Sequence, residues 1–144
     1  MAGQQPGGMP PGPAPLEQDF DSGSLFALRS AVAAHAAAAG LPPDRVYNVV
    51  IAAHELAANA VQHGAGHGRL RLQAADDVLT CQVSDDGPAT AEENQGPGAA
   101  RAAPWPTDHG HGLWVVRQVA SQLTIDHGPA GTTATAAFAI RPPQ

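Results

Sequence analysis

The stretch from Val49 to Gly64, VVIAAHELAANAVQHG, constrains this chain more than any other. At 3.6 residues per turn, Val46, Val49, Val50, Ala53, Ala57, Ala60 and Val61 fall on one side, and Asn48, Ala52, Glu55, Asn59 and Gln62 on the other. That pattern predicts an amphipathic helix with its valine and alanine side on a core. Pro42-Pro43-Asp44 marks the start, because proline suits the first turn and an acid suits the positive end of the helix dipole; Gly64 offers a left-handed stop. Asparagine is a poor helix former, so Asn59 among alanines needs a reason. Glu55 lies four residues before it, one turn away on the same face. Two readings fit this pair: a solvated polar face, or an oxygen ligand for a hard cation such as Mg²⁺ beside a carboxylate that can take a proton. The pair alone does not choose between them.

The rest of the chain supplies the context. At 144 residues it suits one domain. The apolar fraction is 43% but aromatics are only 4%, which predicts a core of small residues. Net charge is −6, and the seven basic residues are all dispersed arginines, so no basic stripe marks a nucleic-acid surface. A single cysteine, Cys81, excludes an internal disulfide and a cysteine-built zinc site, and fits a reducing cytoplasm. No apolar run is long enough to span a membrane.

Residues 1–19 hold five prolines and four glycines and read as a disordered tail, with the domain running from 20 to 142. Leu25, Leu28, Val32, Ala36 and Ala39 predict a first helix capped by Ser24 and stopped by Gly40. Leu70, Leu72 and Ala74 alternate with Arg69, Arg71 and Gln73, and Leu79, Cys81 and Val83 alternate after the turn at Asp76-Asp77, which predicts a hairpin. Gly87 to His111 has no periodicity, and a connection of that length is functional or disordered. Gly110-His111-Gly112 then leads into a helix carried by Leu113, Val116, Val119 and Ala120. Two strands follow, from Leu123 and over Thr132 to Ile140, joined at Gly128-Pro129-Ala130-Gly131. The order predicts an α+β fold, a mostly antiparallel sheet with helices on one face.

Glycine-rich turns that leave a strand or open a helix present amides and a helix dipole to phosphates. In order, Glu55-x-x-x-Asn59, Asp85-x-Gly87, Gly110-x-Gly112 and Gly131-Thr132-Thr133 resemble the N, G1, G2 and G3 boxes of the GHKL superfamily, whose ATP-binding domain is the two-layer α/β sandwich called the Bergerat fold. Over about Asp21 to Arg141 the chain is similar to the small anti-sigma-factor serine/threonine kinases of actinobacteria.

That resemblance implies ATP and Mg²⁺ as cofactors and assigns the residues. Asn59 would ligate Mg²⁺ and Glu55 would be the general base. Asp85 would accept from the adenine amino group over Gly87. Gly110, His111, Gly112 and Leu113 would open the last helix against the phosphates, with His63 facing the same region. Thr133, with Thr132 as the alternate, would complete the adenine end, and Gly87 to His111 would be the ATP lid. The G1 box departs from the family at Ala89, where a further glycine is frequent. The pairs His63/His67 and His109/His111 have spacing that can bind zinc, yet they sit in the turns beside the phosphate region, which favours solvated or phosphate-facing roles. The implied activity is phosphorylation of an anti-anti-sigma (STAS-type) protein by a cytoplasmic homodimer that also sequesters a sigma factor, with no direct nucleic-acid or membrane contact. The alternative is a non-catalytic, ATP-dependent protein-binding switch of the same fold.

Overall fold

Alternation along the chain builds the sheet first. The computed structural model describes residues 14–86 and 111–140. In order these form β1 (Leu16–Asp21), a 3₁₀ turn (Ser22–Ser24), α1 (Leu25–Ala38), α2 (Pro43–His63), β2 (His67–Ala75), β3 (Val78–Asp85), α3 (His111–Val119), β4 (Gln122–Gly128) and β5 (Gly131–Ala139). The five strands make one antiparallel sheet in the order β1-β2-β3-β5-β4. The three helices cover one face of it, an α+β sandwich.

Period-two patterning decides which face they cover. Leu70 and Leu72 of β2, Leu79, Cys81 and Val83 of β3, and Ala134, Ala136 and Phe138 of β5 are buried together. Arg69, Arg71 and Gln82 point the other way and are exposed. In register, Leu72 opposes Cys81, Cys81 opposes Ala136, and Leu79 opposes Phe138. Against this face pack Leu28, Val32 and Ala36 of α1, Val49, Ala53 and Leu56 of α2, and Leu113 and Val116 of α3. Each fully buried leucine contributes about 1.5–3 kcal/mol of transfer free energy.

Three local expectations change. β1 lies largely within the stretch read as a tail, so the first element among the described residues starts at Leu16. Its short alternation, with Phe20 buried and Glu17, Asp19 and Asp21 exposed, is hidden in a proline-rich context. Ser24 holds the N-cap position of α1 but makes no side-chain bond to that helix: its hydroxyl accepts from the Asp21 amide at 2.9 Å, while the Gly23 amide donates to the Asp21 carboxylate at 2.9 Å, a reciprocal box that closes the 3₁₀ turn. Gly40, with φ +108, does stop α1 in the left-handed region. Gly64 does not do so for α2, its φ being −109. The positive φ of that connection belongs to Gly66, at +90.

The face assignment of α2 also shifts. Ala52 and Asn59, placed on the polar side by simple amphipathicity, are buried, whereas Val50 and Val61 are only half-buried. The cause is packing: α2 contacts α1 and α3 as well as β2 and β3, so more than one of its sides is buried.

The hairpin turn at Asp76 and Asp77 has positive φ at both residues, 56 and 64. That matches a turn whose twist suits the flanking strands, and aspartate tolerates the left-handed region better than most residues. No helix among the described residues is long and apolar enough to cross a membrane.

Candidate functional site

The site is assembled where the C-terminal half of α2 meets the ends of β3 and β5. Glu55 and Asn59 sit one turn apart on α2, Glu55 half-buried and Asn59 only 7% exposed. The Asn59 amide nitrogen is buried and has no hydrogen-bond partner among the described residues. A buried donor left unpaired costs about 1–3 kcal/mol, so this carboxamide fits a group that arrives from outside the chain. An oxygen-rich ligand suits it, since one end of an amide donates to a phosphate oxygen or metal-bound water and the other accepts or ligates.

Asp85 closes β3 and is 6% exposed. It lies against the end of α2: a Cβ on Gly64 would overlap the Asp85 carboxylate and would come within 2.8 Å of the Ala60 carbonyl oxygen. Gly64 is therefore required for close approach and not for a left-handed stop. Its amide donates to the Ala60 oxygen at 3.0 Å, closing the helix beside the carboxylate. A second glycine is demanded by space next door, because a Cβ on Gly68 would lie 2.6 Å from the Ser84 oxygen and 2.7 Å from Phe20. Neither requirement is visible in spacing, since it depends on which strand end reaches the helix terminus.

Across the sheet, Asp85 is the register partner of Thr132, and Ser84 of Thr133. Side chains alternate, so Thr132, 4% exposed, shares the helix side with Asp85, while Thr133 belongs to the opposite face. Of the two threonines offered for the adenine end, Thr132 is the one on the side of Asp85. Its hydroxyl lies 3.2 Å from Nδ1 of His127 on β4, a residue that sequence reasoning did not single out. Only the β4–β5 register exposes that signal: His127 opposes Thr132.

His111 and Gly112 form the first turn of α3, and Leu113 anchors that turn in the core. His63 ends α2 and is exposed. Gly87, Ala89, Gly110, His109 and the expected lid lie outside the described residues. Among the described residues no group of three or more His, Cys, Asp and Glu is placed to hold a metal ion. A polar cavity of about 540 Å³ opens beside β1 and β2, lined by Asp21, Ser24, His67, Arg69, Ser84, Asp85 and Asp86. Only Asp85 belongs to both regions. The cavity is open and acidic, a poor match for a nucleotide that needs apolar walls and phosphate donors, so we place the site at Asn59, Asp85 and Thr132.

The match that decides the family covers residues 20–138, which agree with the histidine kinase-like ATPase domain. The chain belongs to that family. A solved structure, the RsbU and RsbW domains of Rv1364c from Mycobacterium tuberculosis, is similar over 89% of this chain at 22% identity with a TM-score of 0.65. This chain spans 32% of that one, and the likeness carries the fold alone. No curated protein matches. The two-layer sandwich is thus the GHKL ATPase fold, and an ATPase domain of this kind binds ATP.

Proposed function

We propose that this chain is an ATP-dependent serine/threonine protein kinase of the anti-sigma type, and that ATP lies with its adenine at Asp85 and Thr132 and its phosphates between α2 and the start of α3. The observation that carries this reading is the buried amide of Asn59, without a partner among the described residues, one turn from the half-buried carboxylate of Glu55. In a solvated face both groups would be hydrated.

Phosphoryl transfer asks little covalent chemistry of a protein and much positioning. Asn59 would hold Mg²⁺, which neutralises charge on the phosphates. The amides at the N-terminus of α3 face the same negative charge with the helix dipole behind them. Glu55 would take the proton of the incoming seryl or threonyl hydroxyl as its oxygen bonds to the γ-phosphorus and the bond to the β–γ bridging oxygen breaks, releasing ADP. By the family resemblance the acceptor is an anti-anti-sigma protein of STAS type, the second partner is a sigma factor, and the working form is a cytoplasmic homodimer.

The test is transfer of labelled γ-phosphate to a protein partner captured from the native cell. Asn59→Ala is expected to weaken ATP binding and transfer together, since a metal ligand acts in ground state and transition state alike. Glu55→Gln is expected to keep ATP and partner binding while transfer falls about 10²–10⁴-fold. Unimpaired transfer by Glu55→Gln removes the base assignment. No transfer by the wild type, with ATP and partner still bound, makes the chain a non-catalytic switch.

A further inference from the structure

We propose that His127 is a positioning residue for the adenine end of the site, setting the direction of the Thr132 hydroxyl and so tying nucleotide affinity to its own protonation; the inference rests on the nucleotide reading above. Register puts His127 of β4 opposite Thr132 of β5, and Thr132 opposite Asp85 of β3. The three form one row across three strands, with the carboxylate and hydroxyl buried and the imidazole reaching Thr132 at 3.2 Å from the exposed end.

A hydroxyl has one proton to give. With His127 neutral and its proton on Nε2, Nδ1 accepts that proton, and the oxygen lone pairs of Thr132 are turned toward the Asp85 side. Once His127 is protonated both ring nitrogens donate, so Nδ1–H bonds to the Thr132 oxygen. The hydroxyl proton is then released toward Asp85, where a carboxylate or a purine ring nitrogen can accept it. Among the described residues the charges around the ring are few. β5 contributes no titratable residue, α3 contributes Arg117 as its described charged side chain, Asp126 projects from the other face of β4, and Asp85 lies beyond Thr132.

The experiment measures Mg²⁺·ATP affinity by calorimetry between pH 5.5 and 8 for the full chain, His127→Ala, His127→Arg and Thr132→Val. The terminal phosphate of ATP titrates in the same range and affects all four alike. Relative to His127→Ala, wild-type affinity is expected to fall roughly three- to ten-fold from pH 5.5 to 8, the difference between a charge-assisted and a neutral arrangement. His127→Arg, a permanent donor, is expected to hold the low-pH affinity throughout, and Thr132→Val to abolish the difference. Parallel pH profiles for wild type and His127→Ala, with ATP bound, overturn this inference alone. Absence of ATP binding in every protein overturns the nucleotide reading and this inference with it. The contact is also checked without nucleotide: the NMR titration of His127 is expected to shift in Thr132→Val, and an unchanged titration removes the hydrogen bond on which the inference stands.

Discussion

At the residue scale the site depends on one absent atom and one buried charge. Asp85→Asn keeps the shape but removes the anionic acceptor, and loss of a charge-assisted hydrogen bond is expected to cost about 1–3 kcal/mol of nucleotide affinity, read by calorimetry. Gly64→Ala reaches the same end by another route, because the new Cβ must displace the Asp85 carboxylate. Gly66→Ala is the control: nothing lies within 4 Å of its Cβ, so only the strain of φ +90 is added, about 1 kcal/mol of stability with affinity retained. Equal affinity in Gly64→Ala and wild type would remove Asp85 from the site. Cys81 shows the opposite use of burial. Desolvation pushes its thiol up to about 12. It stays neutral at ordinary pH, so alkylation at pH 8 is expected to wait for unfolding, as mass spectrometry can show. The Glu55 and Asn59 pair was legible because a helix fixes one-turn neighbours. The close approach at Gly64, the choice between Thr132 and Thr133, and the contact of His127 were not, because they depend on which strand ends and register partners meet, in parts of the chain distant in sequence.

Elements were legible where a pattern was long. The 21 residues of α2 and the two alternating strands of the β2–β3 hairpin declare themselves through period and turn chemistry. β1 has six residues, three of them acidic, and only its pairing with β2 makes it a strand. Leu16 and Phe20 face the helices, while Glu17 and Asp19 pair with Arg71 and Arg69 at 2.9 Å on the open face. These exposed ion pairs are worth little each, about 0–1 kcal/mol, so β1 is held mainly by Phe20, buried to 3% beneath α1 and against Gly68. Phe20→Ala is expected to cost about 3–5 kcal/mol, and Asp19→Asn less than 1 kcal/mol, in chemical denaturation. A small effect of Phe20→Ala would mean that the folded unit begins after β1.

For the whole molecule, one sheet covered on one face leaves α2 packed against both other described helices, and the proposed nucleotide site lies at its C-terminal end. A ligand there meets α2, β3, β5 and the start of α3 at once, so its binding free energy becomes folding free energy of the domain. ATP at 100 times its dissociation constant is expected to add about 2.7 kcal/mol of stability. For a domain of this size that is a rise in melting temperature of roughly 5–15 °C. Chelation separates the metal's part from the adenine's. If Asn59 holds Mg²⁺, a chelator is expected to remove much of the ATP-induced rise in the wild type and almost none of the smaller rise left in Asn59→Ala, because the ion is already lost there. Asp85→Asn should lose part of the rise yet keep its sensitivity to chelator, since adenine and metal act at separate ends of the nucleotide. Two additive losses in Asn59→Ala with chelator, in place of one shared loss, would place the ion elsewhere than Asn59.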